Sequence, residues 1–157
     1  MDHLIIIGFG ENGRHLAGMA RKVNIPFIVI DLNPATVLRE SKEGIPIFFG
    51  DATQQEILQH AGIGSARMVV LALNDPDAAL RITQSIRGMN PKVQIVVRTR
   101  YIQDVPELQR LGASEIVPEE YETSVELSRR VLKHFSTAHH KIDQLISEFR
   151  AQITKPV

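Results

Sequence analysis

Three glycines lie within six residues near the start of the chain, at Gly8, Gly10 and Gly13 of the stretch LIIIGFGENGRHLAGMA. Their GxGxxG spacing follows an apolar run typical of a strand and precedes a pattern typical of a helix, which is the context a dinucleotide-binding turn requires. Gly8 would permit a tight turn, Gly10 would let the backbone approach a pyrophosphate, and Gly13 would let the helix pack closely on the strand. The free N–H groups at the start of such a helix bind phosphate. A plain strand-to-helix turn is the alternative.

Asp31 is the next candidate ligand residue. It follows an apolar run at residues 27–30 and lies 18 residues after Gly13. In dinucleotide-binding folds an acid at this position accepts hydrogen bonds from the ribose hydroxyls of adenosine. Because a carboxylate there repels a 2′-phosphate, the sequence favours NAD or AMP over NADP. An ordinary aspartate at a strand end is the alternative.

Two further stretches follow apolar runs and should face the same crevice. The first, GDAT at residues 50–53, lies where an adenine edge would be, and Asp51 either contacts the base or caps the next helix. The second, ALND at residues 72–75, lies beyond the expected switch point of the sheet, where the small Ala72 would leave room for a ribose or nicotinamide. Its alternative is a strand end followed by a helix that Asp75 caps and Pro76 begins.

Arg98 and Arg100 come at the end of the fifth apolar run, in the order Arg-Thr-Arg. The alternation of side chains along a strand puts both arginines on one face if the strand continues that far. One of them could then reach a phosphate or another anionic ligand in the crevice. The alternative is a structural ion pair with Glu119 or Glu120.

The composition narrows the classes of protein. The 157 residues suffice for one domain with a core, and Lys+Arg and Asp+Glu are both 18, so the formal net charge is zero. This balance gives no support to nucleic acid as a partner, because phosphate binding favours a basic surface. The chain has no cysteine, which excludes a thiol nucleophile and a cysteine-ligated metal and is compatible with the cytosol. We see no signal peptide and no apolar run of the roughly 20 residues that a membrane helix needs.

Short apolar runs alternate with amphipathic stretches over residues 4–118. The runs that predict strands are residues 4–7, 27–30, 45–49, 68–73, 93–97 and 115–117. The helices predicted between them cover a stretch after Gly10 and residues 34–42, 53–61, 76–87 and 103–111, with left-handed glycines expected just past four of them, at Gly44, Gly62, Gly88 and Gly112. This order predicts an α/β fold with a doubly wound parallel six-stranded sheet in the order 3-2-1-4-5-6.

The C-terminal part of the chain has a different pattern. Residues 121–135 predict a helix, the stretch STAHH at residues 136–140 interrupts it, and a second amphipathic helix follows. Its apolar stripe consists of Ile142, Leu145, Ile146, Phe149 and Ile153. Such a stripe must be buried either on its own domain or on another subunit.

Together these residues resemble the RCK, or TrkA-N, nucleotide-binding domain. The resemblance lies in IIIGFGENGRHLA, VIDLNP, GDATQQEILQHAGI, the run from ALNDPDA to RTRY, and LGASEIVPEEYETSVELSRRVL, and it covers residues 3 to about 134. It is strongest to the version that follows the membrane domain of Kef-type monovalent cation:proton antiporters. The resemblance implies a cytoplasmic regulatory domain that controls potassium or sodium flux. It also implies a dimer whose helix after the sixth strand crosses to the partner, and a ligand that is NAD(H), AMP or ATP, with glutathione acting in some Kef systems.

The resemblance also carries site residues and boundaries over to this chain. By position, the nucleotide-binding residues are Gly8, Phe9, Gly10, Asn12, Gly13, Asp31, Leu32, Asp51, Ala52, Thr53, Ala72, Leu73, Asn74 and Arg98. The division is a Rossmann-type domain over 1–118, a crossover helix over 119–135 and an amphipathic tail over 136–157. The expected homodimer forms through the C-terminal helices. Because no membrane segment and no companion regulatory domain are visible, we expect either an excised cytoplasmic piece of a cation transporter or a separate subunit.

A small NAD-dependent dehydrogenase is the main alternative. It would need a second set of residues that hold a substrate and move a proton beside the nicotinamide. The six histidines do not suit this task, since they lie at the wrong end of the sheet, in helices or in the tail. A metal at His139-His140 is disfavoured because adjacent side chains point apart. A DNA-binding redox sensor would need a basic arm or a helix-turn-helix, and we see neither. The sequence therefore favours a nucleotide-binding regulatory module without catalytic or metal residues.

Overall fold

The computed structural model describes residues 1–135 and 137–153. Six strands form one parallel sheet: β1 (Leu4–Ile7), β2 (Phe27–Asp31), β3 (Ile47–Phe49), β4 (Met68–Leu71), β5 (Gln94–Thr99) and β6 (Glu115–Pro118). Their order in space is β3-β2-β1-β4-β5-β6. The predicted fold class and strand order are therefore confirmed.

The central strand β1 sets the register of the sheet. All four of its residues are buried, as expected for a strand covered on both faces. Its last residue, Ile7, lies beside Ile30 of β2 and beside Leu71 of β4. The next residue along each chain segment is Gly8, Asp31 and Ala72, respectively. The stretches that begin at Gly8, Asp31 and Ala72, which the sequence singles out, therefore lie at the same level at one edge of the sheet.

Within residues 1–135 and 137–153, seven α-helices connect or follow the strands. They are α1 (Glu11–Lys22), α2 (Pro34–Lys42), α3 (Gln55–His60), α4 (Pro76–Met89), α5 (Val105–Arg110), α6 (Glu119–His134) and α7 (His139–Ile153), with 3₁₀ turns at Ile63–Ser65 and Ile102–Asp104. Side chains cap two of the helices. Asn33 Oδ1 accepts from Ala35 N–H at 3.0 Å, and Asp75 Oδ1 accepts from Ala78 N–H at 3.0 Å. Each cap stands before a proline in the first turn of its helix.

Three of the four predicted left-handed glycines are confirmed. Gly44, Gly62 and Gly112 have φ angles of +80°, +79° and +112°. The prediction for Gly88 is wrong, because α4 continues through it to Met89. The helix ends at Asn90 instead, whose side-chain oxygen accepts from the N–H groups of residues 92 and 93 at 3.1 Å each. An asparagine that forms its own turn can end a helix without a left-handed glycine.

Two apolar cores lie on opposite faces of the sheet. On one face, Leu4, Ile6 and Val29 pack against Ala17 and Ala20 of α1. On the other face, the alternate strand residues pack against α3, α4 and α5. The buried residues of this larger core include Ile5, Ile7, Leu58, Val69, Leu71, Ile82, Ile86, Ile95, Val97 and Leu108. Small alanines on α1 allow this helix to lie close to the strands that hold the crevice.

The last two helices, α6 and α7, run antiparallel to each other at the β6 side of the sheet. Two ion pairs join them, Arg129 with Asp143 at 3.1 Å and Arg150 with Glu122 at 3.2 Å. The ring of the buried Tyr121 lies 5.0 Å from the ring of Phe149. The predicted tail over 136–157 is thus helical over His139–Ile153 and packs on α6, while residues 136 and 154–157 lie outside the described residues.

The apolar stripe of α7 is only partly buried within the chain. Ile142 is 2% exposed, but Leu145 and Phe149 remain 39% and 42% exposed. The tail therefore packs on α6 and leaves part of its apolar stripe exposed.

The contact between Gly13 and the backbone of Gly8 generates a stability prediction. A Cβ at Gly13 would overlap the carbonyl oxygen of Gly8, whereas a Cβ at Gly18, in the same helix, would meet nothing within 4 Å. We expect Gly13→Ala to lower the free energy of unfolding by about 2 kcal/mol or more. The matched Gly18→Ala should raise it by about 0.5–1 kcal/mol through helix propensity. Urea unfolding of both variants measures this, and equal stabilities would contradict the close packing.

Candidate functional site

A cavity of about 600 Å³ opens at the carboxyl ends of β1, β2 and β4. Most of the residues predicted to bind a nucleotide line it. They are Gly8, Phe9, Gly10, Asp31, Leu32, Asp51, Ala52, Ala72, Leu73 and Asn74. The cavity lies on both sides of the point where the order of strands reverses, which is where open parallel sheets bind ligands.

Two of the three glycines in the turn are required by the fold itself. Gly8 has a φ angle of +98°, and a Cβ there would come within 2.9 Å of the backbone nitrogen of Leu73. Gly13 meets the Gly8 carbonyl, as described above. Gly10 differs, because a Cβ there would meet nothing within 4 Å and its φ angle of −79° suits any residue. The fold therefore does not account for Gly10, which borders the open cavity.

The backbone at the start of α1 presents four consecutive unpaired donors. Within the described part of the chain, no acceptor is bonded to the N–H groups of Gly10, Glu11, Asn12 and Gly13, and Gly10 provides no side-chain cap. The first bonded N–H of the helix is that of Arg14, which donates to the Gly10 carbonyl at 2.9 Å. Such a set of donors at the positive end of a helix suits an anion such as phosphate.

The carboxylate of Asp31 links the glycine turn to β2. Its Oδ2 accepts from Phe9 N–H at 2.7 Å, and its Oδ1 accepts from Asn33 N–H at 2.7 Å. Asp31 is half-buried and lines the cavity. Because each carboxylate oxygen can accept about two hydrogen bonds, both oxygens keep capacity for a further donor. Asp31 thus has a structural role in the site, and a ribose contact stays a prediction.

Asp51 closes a turn before α3 without capping that helix. Its Oδ1 accepts from the hydroxyl and the N–H of Thr53 at 2.7 and 2.9 Å, whereas α3 begins two residues later with Gln54 at its N-cap. The helix-cap alternative is therefore wrong. The two hydrogen bonds from Thr53, with a smaller contribution from the charge of Arg81, hold the pKa of Asp51 below its usual value. Asp51 Oδ2 has no partner among the described residues and remains available to a ligand.

The stretch after β4 both lines the cavity and caps the next helix, the two roles that the sequence leaves open for it. Ala72, Leu73 and Asn74 line the cavity, and Asp75 caps α4. One turn into that helix, Ala78 adds to the lining. Sequence patterns did not single out Ala78, although a small residue in the first turn of a helix beside the crevice is a usable signal.

The remaining predicted residues lie outside the lining of this cavity. Asn12 is exposed on the first turn of α1, Gly13 is buried against Gly8, and Thr53 bonds to Asp51. Arg98 forms an ion pair with Glu119, as in the alternative weighed for it, and donates from Nε to Glu119 Oε1 at 2.7 Å. Arg100 is exposed and comes after the end of β5, so the strand does not continue as far as the prediction for the two arginines requires. The part these residues take in binding stays a prediction.

A second cavity, of about 530 Å³, adjoins the first. It lies between the ends of β4 and β5 and is lined by Arg98, Arg100 and Tyr101, among others. Leu73 and Asn74 line both cavities, so this short segment is the wall between them.

No histidine lines the crevice in the part of the chain that the structure describes. His3 is buried before β1, at the amino end of the sheet, where its Nε2 lies 2.7 Å from the carbonyl oxygen of Ala61. Among residues 1–135 and 137–153, no three histidine, cysteine or acidic side chains converge to hold a metal ion.

Comparison with known proteins gives relatives among potassium efflux antiporters. Over 149 residues, 95% of this chain, the sequence is 33% identical to the putative K(+) efflux antiporter KefB of Alkalimonas amylolytica, and it spans 22% of that protein. The chain thus corresponds to about a fifth of that relative's length.

Two solved structures share the fold. The Shewanella denitrificans Kef CTD in AMP-bound form superimposes with a TM-score of 0.78 at 23% identity, over 96% of this chain and 91% of that one. GsuK bound to ADP superimposes with a TM-score of 0.66 at 30% identity, over 74% of this chain and 30% of that one. Residues 4–119, which include the whole glycine turn and all six strands, match one family along their length, and the chain belongs to that family, the TrkA-N domain.

Proposed function

We propose that this chain is a regulatory module that binds an adenine nucleotide, AMP, ADP, ATP or NAD(H), and thereby controls a transporter of potassium or another monovalent cation. The observation that carries the proposal is one cavity lined both by Asp31 and by Gly10, whose N–H is the first of four consecutive unpaired donors at the start of α1. The donors suit phosphate and the carboxylate suits ribose hydroxyls. The AMP-bound and ADP-bound states of the two similar structures support the same ligand class.

The proposed pose follows from the chemistry of the cavity. The phosphates lie at the N–H groups of residues 10–13, and Asp31 accepts from the ribose of adenosine. The base lies against Leu32, whose side chain is 60% exposed at the rim, and its amino group donates to Asp51 Oδ2. Burial of an exposed leucine beneath an adenine ring adds hydrophobic free energy to the polar contacts.

The module binds its nucleotide without consuming it. The hydrogen bonds from Thr53 hold the pKa of Asp51 below its usual value, which makes this carboxyl group a poor proton donor. No histidine lines either cavity in the described part of the chain. A dehydrogenase would need such a group beside the nicotinamide, so a sensor fits these residues better.

A homodimer through the C-terminal helices is the proposed moving part. A groove of about 430 Å³ lies between α1, the sheet and α6, and Leu16, Val70 and Val96 line it only half-buried. On α6, Leu127 and Val131 are 61% and 55% exposed, and Phe135 just beyond it is 81% exposed. These residues recur at intervals of four, so they form one apolar stripe of the kind that subunits bury. We call it the α6 stripe.

Regulation then follows from a difference in affinity. A nucleotide that binds one arrangement of the dimer more tightly than another shifts the population toward the first, and the attached or associated transporter responds. In this proposal residues 1–118 bind the nucleotide, 119–135 form the crossover helix and 136–157 extend the interface. Within the described ranges, no helix is long and apolar enough to cross a bilayer. The proposed place of action is the cytoplasmic side of the membrane, through the transporter, with no role for nucleic acid.

The position of Asp31 predicts discrimination against a 2′-phosphate. We expect NADH to bind at least tenfold more tightly than NADPH, which is about 1.4 kcal/mol of repulsion. Asp31→Asn should lower the ratio of NADH affinity to NADPH affinity, because the variant lacks the negative charge and keeps one acceptor oxygen. Calorimetry on the wild type, this variant and the exposed Asp77→Asn control measures it. Equal affinities of the wild type for the two cofactors would contradict the assignment of Asp31.

The open space at Gly10 predicts a variant that folds but does not bind. In Gly10→Val the side chain fills the region proposed for the phosphates, so we expect the affinity for ADP to fall at least about 100-fold. The free energy of unfolding should change by less than about 1 kcal/mol, since a Cβ at residue 10 would meet no atom within 4 Å. Gly18→Val, in the same helix away from the cavity, should bind normally. Undiminished binding by a folded Gly10→Val would mean that the turn holds no phosphate.

The α6 stripe predicts how the dimer can be broken. We expect light scattering to give a dimer for the wild type and a monomer for Val131→Glu, because a charge in an apolar interface is left without compensation. Leu38→Glu on α2 is the matched control, since Leu38 is 59% exposed and Val131 is 55% exposed. A control that dissociates equally, or a wild type that is monomeric at high concentration, would contradict the proposed interface.

A further inference from the structure

Arg98 joins three parts of the chain that are distant in sequence. It lies on β5, its Nη1 donates to the Leu73 carbonyl at 3.4 Å and to Asn74 Oδ1, and its Nε and Nη2 both donate to Glu119 Oε1. The side chain is only 16% exposed. A guanidinium is planar and rigid, so its donors toward the loop and toward the helix move as one unit.

The wall between the two cavities depends on this side chain. Ala72 still bonds to the sheet, through its N–H and the Ile7 carbonyl at 2.8 Å, and Asp75 caps α4. Between them, the only hydrogen bonds that Leu73 and Asn74 make within the described residues are those from Arg98. The guanidinium therefore supplies the hydrogen bonds that hold the wall, while the Leu73 side chain packs against the larger core.

The other end of the guanidinium holds the first turn of α6. Glu119 is the first residue of that helix, and its carboxylate is 37% exposed. A second attachment comes from Glu120, whose N–H donates to the Arg100 carbonyl at 3.2 Å and whose Oε2 accepts from Ile102 N–H at 3.1 Å. Of these two attachments, only the one through Arg98 also reaches the lining of the nucleotide cavity.

We propose that Arg98 is a positioning residue that couples the nucleotide cavity to α6, acting through Asn74 and Glu119 rather than by contact with the nucleotide. A ligand that contacts or displaces the Leu73–Asn74 wall changes the acceptors of Nη1. The rigid guanidinium then shifts its donors to Glu119, and with them the start of the helix that carries the α6 stripe. A ligand that binds more tightly to one position of the wall than to another therefore shifts the population of the corresponding positions of α6 by the same factor. The inference rests on the proposed nucleotide binding.

The test measures affinity and the response of α6 separately. Calorimetry with ADP gives the affinity, and hydrogen exchange of residues 119–130 with and without ADP gives the response. We expect ADP to change exchange in this segment at least about threefold in the wild type. Glu119→Leu should bind ADP within about threefold of the wild type and lose the change, while Glu119→Gln, which keeps an acceptor oxygen, should retain part of it. Arg98→Met should lose the change as Glu119→Leu does.

Arg100→Met is the matched control. Arg100 is exposed, its side chain makes no hydrogen bond or ion pair among the described residues, and it lies two positions beyond Arg98. Its variant should keep the full response. A response that persists in a folded Glu119→Leu or Arg98→Met overturns the coupling, and so does a wild type that binds ADP without any change in α6. Failure of the wild type to bind any nucleotide is seen already in the calorimetry and overturns the proposed function itself.

Discussion

The packing of one glycine on another determines the rest of the site. Gly13 lies against the carbonyl of Gly8, so α1 begins directly over the end of β1. Any side chain at Gly13 would move the helix away, and with it the unpaired N–H groups that begin at Gly10 beside the cavity. The parallel register of β1 with β2 and β4 supplies the other constraint, since it brings Asp31 and Ala72 to the same level as this turn. Both constraints concern the backbone, and neither needs a ligand in order to hold.

The charged groups of the site are bound before any ligand arrives. Asp31 accepts two backbone N–H groups, Asp51 accepts two groups of Thr53, and Arg98 donates to Glu119 and to the cavity wall. Each of these three charged side chains, which the sequence nominates for ligand contact, thus also has a partner within the chain. A polar group near the surface of a crevice can serve both purposes, because carboxylate and guanidinium groups have more hydrogen-bonding positions than one partner uses.

The sequence predicts the backbone of this site better than its side-chain partners. The strand order and the uses of Gly8 and Gly13 follow from local patterns, because buried parallel strands and glycine turns have few alternatives. The choice of Arg98 between an anion and Glu119 depends on a residue 21 positions away, and no local pattern decides it. The end of α4 was misplaced at Gly88 for a similar reason, since Asn90 competes as a helix terminator. The Thr53 hydroxyl donates to Asp51 Oδ1 from only two residues away, and motif spacing does not predict such a local hydrogen bond.

The bonds of Asp31 make the two sides of the crevice unequal. On the β1–β2 side, the carboxylate of Asp31 ties the glycine turn to the loop after β2. The N–H donors of the turn are therefore in place before a ligand binds, and binding costs little free energy for ordering them. On the β4 side, the hydrogen bonds of the Leu73–Asn74 segment come from Arg98 alone among the described residues. Association on the first side is therefore preorganised, and its rate depends little on conformational change. Under the proposed function, adaptation to ligands of different size belongs to the second side, and the adenosine half of a mononucleotide or a dinucleotide meets the same first side.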